Sequence, residues 1–373
     1  MELRVLVGQA VVPADRALVN GITFAAMKTI RFGVIGAGHI GKRHAEMVRR
    51  QDGCELVAMA DRRSAEDCGV AVDGFTWYAD YRQMLASHPE IDVVCVCTPN
   101  GLHAEQSLAA IEADCHVVIE KPMALNRREG EEVLHAALGH GKQVFCVMQN
   151  RYSPPSVWLK EMVESGRLGA IRMVQIQCYW NRDDRYYGTI PWKGTLGLDG
   201  GTLFTQFSHF IDIMYWLFGD IHHIQGRFAD FSHAHNTDFE DSGFLTFDFV
   251  KGGMGAFSFS TSVDRQNYES SLTIIAEHGT VKVGGQYMNE IEYCDIDGYE
   301  MPELPPSNPA NDYGHYKGSA ANHGYVFENV VAALTGQEKI STNALEGLKV
   351  VDIIERMYAS APRPLKQQPP ASA

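Results

Sequence analysis

The stretch Thr29-Ile30-Arg31-Phe32-Gly33-Val34-Ile35-Gly36-Ala37-Gly38-His39-Ile40-Gly41 decides the fold. A short apolar run, Ile30 to Ile35, leads into three glycines, and helical spacing begins at Ile40. Gly36 permits a tight turn, Gly38 lets a pyrophosphate approach the backbone, and Gly41 lets the helix pack close to the strand. The helix N-terminus favours the negative charge. Alone, such a spacing reads equally well as an ordinary glycine turn. Its setting decides: the next apolar strand, Glu55 to Ala60, ends at Asp61, twenty residues beyond Gly41, where a carboxylate can accept hydrogen bonds from the ribose hydroxyls. A carboxylate there repels a 2'-phosphate and favours NAD over NADP, although Arg62 and Arg63 follow and could hold such a phosphate.

Outward from that stretch, further apolar runs at Val93 to Cys97, His116 to Ile119 and Gln143 to Met148 alternate with helical segments near His103 to Glu112 and Arg127 to Gly139. The alternation predicts an α/β Rossmann domain over residues 29–150, with a doubly wound parallel sheet. Beyond Asn150 the runs lengthen and alternate, as in Ile171 to Tyr179, Gly243 to Phe249, Met254 to Thr261 and Ser271 to Ile275. They predict a C-terminal α+β domain over 151–361 with an open, mostly antiparallel sheet, closed by helices near Asn322 to Leu334 and Asn343 to Ala359. Residues 1–28 and 362–373 read as a loose extension and a loose tail, and Met27 is a candidate alternative start.

A net charge of -14 denies the chain the basic surface that nucleic-acid binding requires, though a few local cations can still serve an anionic small substrate. No apolar run approaches the roughly 18 residues of a membrane span. Eight scattered cysteines show no metal-ligand spacing, so reduced, buried thiols, no metal centre and a cytoplasmic location are expected.

Two strand ends carry the chemistry-bearing residues: Cys97-Thr98-Pro99-Asn100 with His103, and Glu120-Lys121-Pro122. The carboxyl ends of parallel strands line the ligand crevice. An ammonium at Lys121 can stabilise a developing alkoxide while hydride leaves carbon; otherwise Lys121 is a surface lysine after a strand. A helix from Gly201 carries Thr202, Thr205, Gln206, His209 and Asp212 on one face. His209 is a candidate general base or, on the plainer reading, a satisfied core histidine. Asp212 either orients its imidazole or anchors the helix.

With G-A-G-H-I-G, C-T-P-N-G-L-H, E-K-P and the Gly200-Gly201 to His209 to Asp212 segment in order, residues 29 to about 360 resemble the Gfo/Idh/MocA oxidoreductases. The resemblance implies Lys121 and His209 as the catalytic pair, with a Lys-Pro step that is often cis. It implies cofactor contacts from Gly36, Gly38, His39, Ile40, Gly41, Asp61 and Arg62, and, on the later strand ends, from Thr98, Pro99, Asn100, His103, Glu120, Lys121 and Gln149. Thr205 departs from the family, whose usual member carries Asp there. Gln149-Asn150-Arg151-Tyr152, Trp180-Asn181-Arg182, Pro191-Trp192-Lys193-Gly194-Thr195 and Thr205-Gln206-Phe207-Ser208-His209 are similar to the UDP-N-acetylglucosaminuronic acid 3-dehydrogenases.

That branch tends to have Asn at position 205 and Arg at position 193. On this likeness Arg151, Arg182, Arg185 and Lys193 could pair a diphosphate or uronate, Tyr152, Tyr187 and Trp192 could pack on sugar or uracil, and Thr205, Gln206 and His209 could face the sugar. The expected activity is NAD-dependent oxidation of a ring secondary hydroxyl, at C3 by the branch's own name, in a homodimer or homotetramer. The resemblance also implies that the nucleotide can be recycled in place by a 2-oxo acid. Competing readings are a dehydrogenase of a non-nucleotide sugar, inositol or glycoside, and a non-catalytic NAD-binding sensor.

Overall fold

A computed structural model describes residues 29–188, 190–314 and 316–364. The expectations for residues 1–28 and for nearly all of the tail fall outside them. The N-terminal unit runs β1 (Ile30–Ile35), α1 (His39–Arg50), β2 (Cys54–Ala60), β3 (Thr76–Tyr78), α2 (Tyr81–Ser87), β4 (Val93–Val96), α3 (His103–Glu112), β5 (His116–Ile119), α4 (Arg127–His140) and β6 (Val144–Cys146). Its strands pair in the order β3-β2-β1-β4-β5-β6, all parallel. The order reverses between β1 and β4, and the carboxyl ends there open a crevice. β4, Val-Val-Cys-Val, is buried throughout because helices cover both faces of the sheet.

The second unit begins with α5 (Pro154–Glu164), β7 (Ile171–Tyr179), α6 (Asp184–Tyr187), α7 (Thr202–Thr205) and α8 (Ser208–Phe218). It continues through β8 (Ile221–Ala229), β9 (Ser242–Phe249), β10 (Met254–Ser260), β11 (Glu269–Ala276), β12 (Gly279–Gly284) and β13 (Glu290–Ile296). The small hairpin β14 (Ala310–Asp312) and β15 (Lys317–Ala320) precedes α9 (His323–Leu334) and α10 (Ala344–Ala359). The large sheet has the order β13-β12-β11-β7-β10-β9-β8, antiparallel except where β7 meets β10.

Two features differ from expectation. The helix predicted from Gly201 is broken: α7 ends at Thr205, and α8 starts at Ser208 after Phe207 takes a non-helical conformation. The closing helices also return to the first unit. Phe327 and Val330 of α9 share a buried cluster with Phe32, Val34 and Phe145, and α10 packs on α4 as well as α8. Residues 151–361 are therefore continuous in sequence but not in packing. All eight cysteines are free thiols; six are buried, while Cys54 and Cys294 are part-exposed. Among the described residues no helix is long and apolar enough to cross a membrane.

Candidate active site

The glycine loop obeys the steric logic of its spacing. Gly36 has φ +92°, and a Cβ there would lie 2.7 Å from the Cys97 carbonyl oxygen. A Cβ on Gly41 would lie 1.8 Å from the Gly36 carbonyl oxygen, so the helix can approach the strand only as glycine. At Gly38, which caps α1, a Cβ would meet no protein atom within 4 Å. That is the cradle a pyrophosphate fits, at a helix N-terminus. Asp61 braces it: its carboxylate accepts from the Ala37 N–H at 2.8 Å and from Arg63 N and Nε at 3.0 Å each. Burial would raise this carboxyl, but the Arg63 side chain and the two backbone N–H groups hold it below its usual range. Arg63 is thus committed to Asp61, and Arg62 is left exposed on the rim.

A cleft of about 1140 Å³ runs from this loop along the strand ends into the second unit. Gly36, Gly38, His39, Ile40, Asp61, Arg62, Thr98, Pro99, Asn100, His103, Glu120, Lys121 and Gln149 all line it. Gly41 stands behind the loop rather than on the wall. Several of these residues brace the wall. His103 sits between the carbonyls of Pro122 (2.7 Å) and Thr98 (2.8 Å), tying the two strand ends together, and Thr98 Oγ1 donates to Gln106 at 2.6 Å. The Lys121-Pro122 peptide is cis. Glu120 lies 2.8 Å from His44 Nε2 and 3.6 Å from His323 Nε2. Burial would raise the Glu120 carboxyl, but the His323 and His44 rings hold it well below the usual carboxylate range.

Lys121 and His209 face the same cleft, as the sequence predicts. Lys121 Nζ donates to the Thr205 carbonyl at 2.5 Å. Burial lowers its pKa, against the opposing pull of Glu120 and Asp199. Burial, then the Lys121 charge, pushes the His209 imidazole well below its usual pKa, so it stands neutral. Its Nε2 lies 3.4 Å from the Gln149 amide nitrogen, and its buried Nδ1 has no hydrogen-bond partner among the described residues. A neutral imidazole beside an ammonium is a base and an electrophile in one cleft.

The substrate-side expectations divide. Arg182, Trp192, Lys193, Thr205, Gln206 and His209 line the cleft. Arg182 is buried over the rings of Trp180, Tyr186 and Tyr316 at 4.8–5.1 Å, and Lys193 Nζ lies 3.6 Å from the Tyr186 ring centroid. Burial and the Arg182 charge bring Lys193 down to about 8. Arg151, Tyr152 and Tyr187 do not reach the cleft. Arg151 is spent inside the protein: Nε and Nη2 bind Asp212 at 2.8 and 2.6 Å, and Nη1 binds Glu346 at 2.8 Å. Asp212 accordingly anchors α8 to Arg151 rather than orienting His209. Tyr152 stacks on Tyr325, and Tyr187 is buried with Tyr186 and Phe239. Arg185 pairs with Asp183 at the surface.

Sequence reasoning missed the β14–β15 hairpin. Tyr313 meets the edge of His39 and the Arg43 guanidinium, then stacks on Tyr316 at 4.8 Å, and Tyr316 faces Arg182 and Lys193. The hairpin thereby joins the cofactor loop to the cationic wall. Its stretch, rich in Pro and Asn, carries no periodic signal. His44, His323 and Asp199 were also missed, each isolated in sequence from its partners.

Residues 30–148 match the family described as an oxidoreductase family with an NAD-binding Rossmann fold, GFO_IDH_MocA, and residues 157–282 match a C-terminal domain of the same family. Over 90% of its length the chain is 30% identical to the WlbA dehydrogenase of Chromobacterium violaceum, solved in complex with NADH and UDP-GlcNAcA; it covers 94% of that chain, with a TM-score of 0.78. The chain belongs to the GFO/IDH/MocA oxidoreductase family. The Bordetella pertussis WlbA dehydrogenase, solved with the same two ligands, is 29% identical, with a TM-score of 0.78 over 92% of this chain and all of that one. The D-glucoside 3-dehydrogenase of Escherichia coli K12 is 29% identical over 82% of this chain and 94% of its own length. Membership makes the protein an NAD-dependent oxidoreductase, and the glycine cradle with Asp61 suits that cofactor.

Proposed function

We propose that the protein oxidises the 3-hydroxyl of a UDP-linked N-acetylhexosaminuronic acid. The observation that carries this reading is one cleft that holds Lys121 and neutral His209 beside a wall of Arg182 and Lys193 on aromatic rings. Buried cations suit an anionic sugar, and aromatic faces suit its ring or a uracil. The likeness to two enzymes solved with NADH and UDP-GlcNAcA supports the same substrate class.

NAD supplies the hydride acceptor when bound. Lys121 stabilises oxygen charge as the C–H bond yields its electron pair, His209 takes the hydroxyl proton, and a ketone is left. The other residues orient: Glu120 and His103 fix the turn that carries Lys121, and Gln149 meets His209.

The test is incubation with NAD and a panel of UDP-N-acetylglucosaminuronic acid, myo-inositol and simple glucosides, with and without 2-oxoglutarate, read by mass spectrometry. The expected product is two mass units lighter and arises from the UDP-sugar, with more turnovers per cofactor when the 2-oxo acid recycles NADH in place. Oxidation of glucosides alone would select the second reading, which the E. coli glucoside dehydrogenase favours. Lys121→Ala is expected to lose turnover by roughly 10²–10³ while still binding NAD, as for removal of one oxyanion donor. Full turnover in that variant would overturn the catalytic assignment. Eight free thiols fit a reducing, cytoplasmic compartment, and the open sheet face fits a homodimer or homotetramer.

A further inference from the structure

Asp199 is fully buried just behind the cleft wall, at the seam between the two units. Its loop is held by the turn after β4: the Asn100 side-chain amide donates to the Asp199 carbonyl at 2.9 Å, and Gly101 N–H donates to the Leu198 carbonyl at 3.0 Å. Both carboxylate oxygens have partners. One accepts from Gly194 N–H at 2.8 Å, and the other accepts from the Thr205 hydroxyl, which itself accepts from Asn100 at 2.7 Å. Thr205 in turn receives Lys121 Nζ on its carbonyl, so Asp199 stands one residue behind the ammonium.

The groups that face this carboxylate come from four elements. Lys121 approaches from the turn after β5, Lys193 from the carboxylate's own loop, Thr205 from α7, and Tyr186 and Tyr187 from α6. Burial, with a smaller push from Asp199, keeps both tyrosines neutral. The only opposite charges on Asp199 among these groups are therefore the two lysines.

We propose that Asp199 is a positioning residue whose carboxylate, acting through the Thr205 hydroxyl on the Lys121 side and through the Gly194 N–H on the Lys193 side, keeps both ammonium groups in place for the substrate. It supplies from the 199 position a negative charge that Thr205 itself lacks. Burial raises the Asp199 carboxyl to about 6, against hydrogen bonds from Thr205 and Gly194 and the charges of Lys193 and Lys121. Above that pH it is an anion that holds the two ammonium groups in place; below it, protonation weakens that hold while both amines stay charged. The turnover part of the proposal rests on the oxidation reading above, whereas the lysine charge states do not.

The experiment is competitive acetylation of the NAD-loaded protein across pH, with Lys121 and Lys193 followed by mass spectrometry, for wild type, Asp199→Asn and Asp199→Asn/Thr205→Asp. In Asp199→Asn, both lysines are expected to become reactive about one pH unit lower, a tenfold faster labelling at a given pH below the midpoint. The acid limb of kcat near pH 6 is expected to vanish with the titrating group. In the double variant, the carboxylate returned at position 205 is expected to bring the Lys121 midpoint back to within a threefold rate of wild type. Unchanged midpoints in a folded Asp199→Asn protein would overturn the proposal. If that variant does not fold, a Lys121 midpoint in the double variant that stays low overturns it and a restored one supports it. Acetylation needs no sugar, so a failed substrate assignment leaves this result readable.

Discussion

Arg151 uses Nε, Nη1 and Nη2 within the protein, and Asp212 offers it both carboxylate oxygens from within α8, one turn from His209. Removing one partner of a buried pair leaves the other charge uncompensated, at a cost of about 3–5 kcal/mol. Arg151→Met is therefore expected to lower the unfolding free energy by that order in a denaturant titration. The KM for the sugar in the folded fraction should stay unchanged, because Arg151 does not reach the cleft. A large KM rise at native stability would return Arg151 to the substrate. Lys121 and His209 were legible in sequence because each sits on a motif whose geometry is local. Arg151 was not, because an arginine beside a binding motif looks the same whether its acid is a ligand or an aspartate 61 residues away.

At the scale of elements, the β1–turn–α1 unit was readable almost residue by residue, since φ at Gly36 and the contact at Gly41 are set by neighbours in sequence. The two glycines separate binding from folding. Gly38→Ala is expected to keep the melting temperature while NAD affinity, followed by NADH fluorescence, falls more than about tenfold, a 1.4 kcal/mol loss. Gly41→Ala is expected to lower both, because its Cβ collides with the Gly36 carbonyl rather than with the ligand. Equal behaviour of the two variants would contradict the assignment of Gly38 as the cradle. The α7–α8 break escaped the periodicity because Thr205, Gln206 and His209 keep helical spacing across it. What breaks the helix is Phe207, whose side chain is buried against Trp180, just past β7, and Phe257 and Phe259 of β10.

At the scale of the whole molecule, one face of the large sheet is open among the described residues. Phe244 is 69% exposed, and Met173, Met254, Ile275 and Tyr293 point from neighbouring strands to the same side. A second copy is the proposed cover for this face, on which these apolar side chains alternate with exposed polar ones such as Gln175 and Thr246. Phe244→Asp is expected to shift the protein towards monomer in sedimentation velocity at micromolar concentration, with little change in the intrinsic secondary structure. An unchanged oligomer would place the subunit contact elsewhere. Also at this scale, α9 returns to close the Rossmann sheet and brings His323 to Glu120, a meeting of residues 203 positions apart that no window of sequence contains.

By itself the sequence determined the two-unit architecture and the glycine cradle with Asp61, and it offered as candidates Lys121 at a strand end and His209 on a polar helix face. These rest on backbone sterics and hydrophobic periodicity, which act over a few residues. The tertiary structure decided which cations face the cleft and which are consumed inside the fold, and it brought the β14–β15 hairpin, His323 and Asp199 to the site. Charges find partners by distance in space, and packing sets that distance.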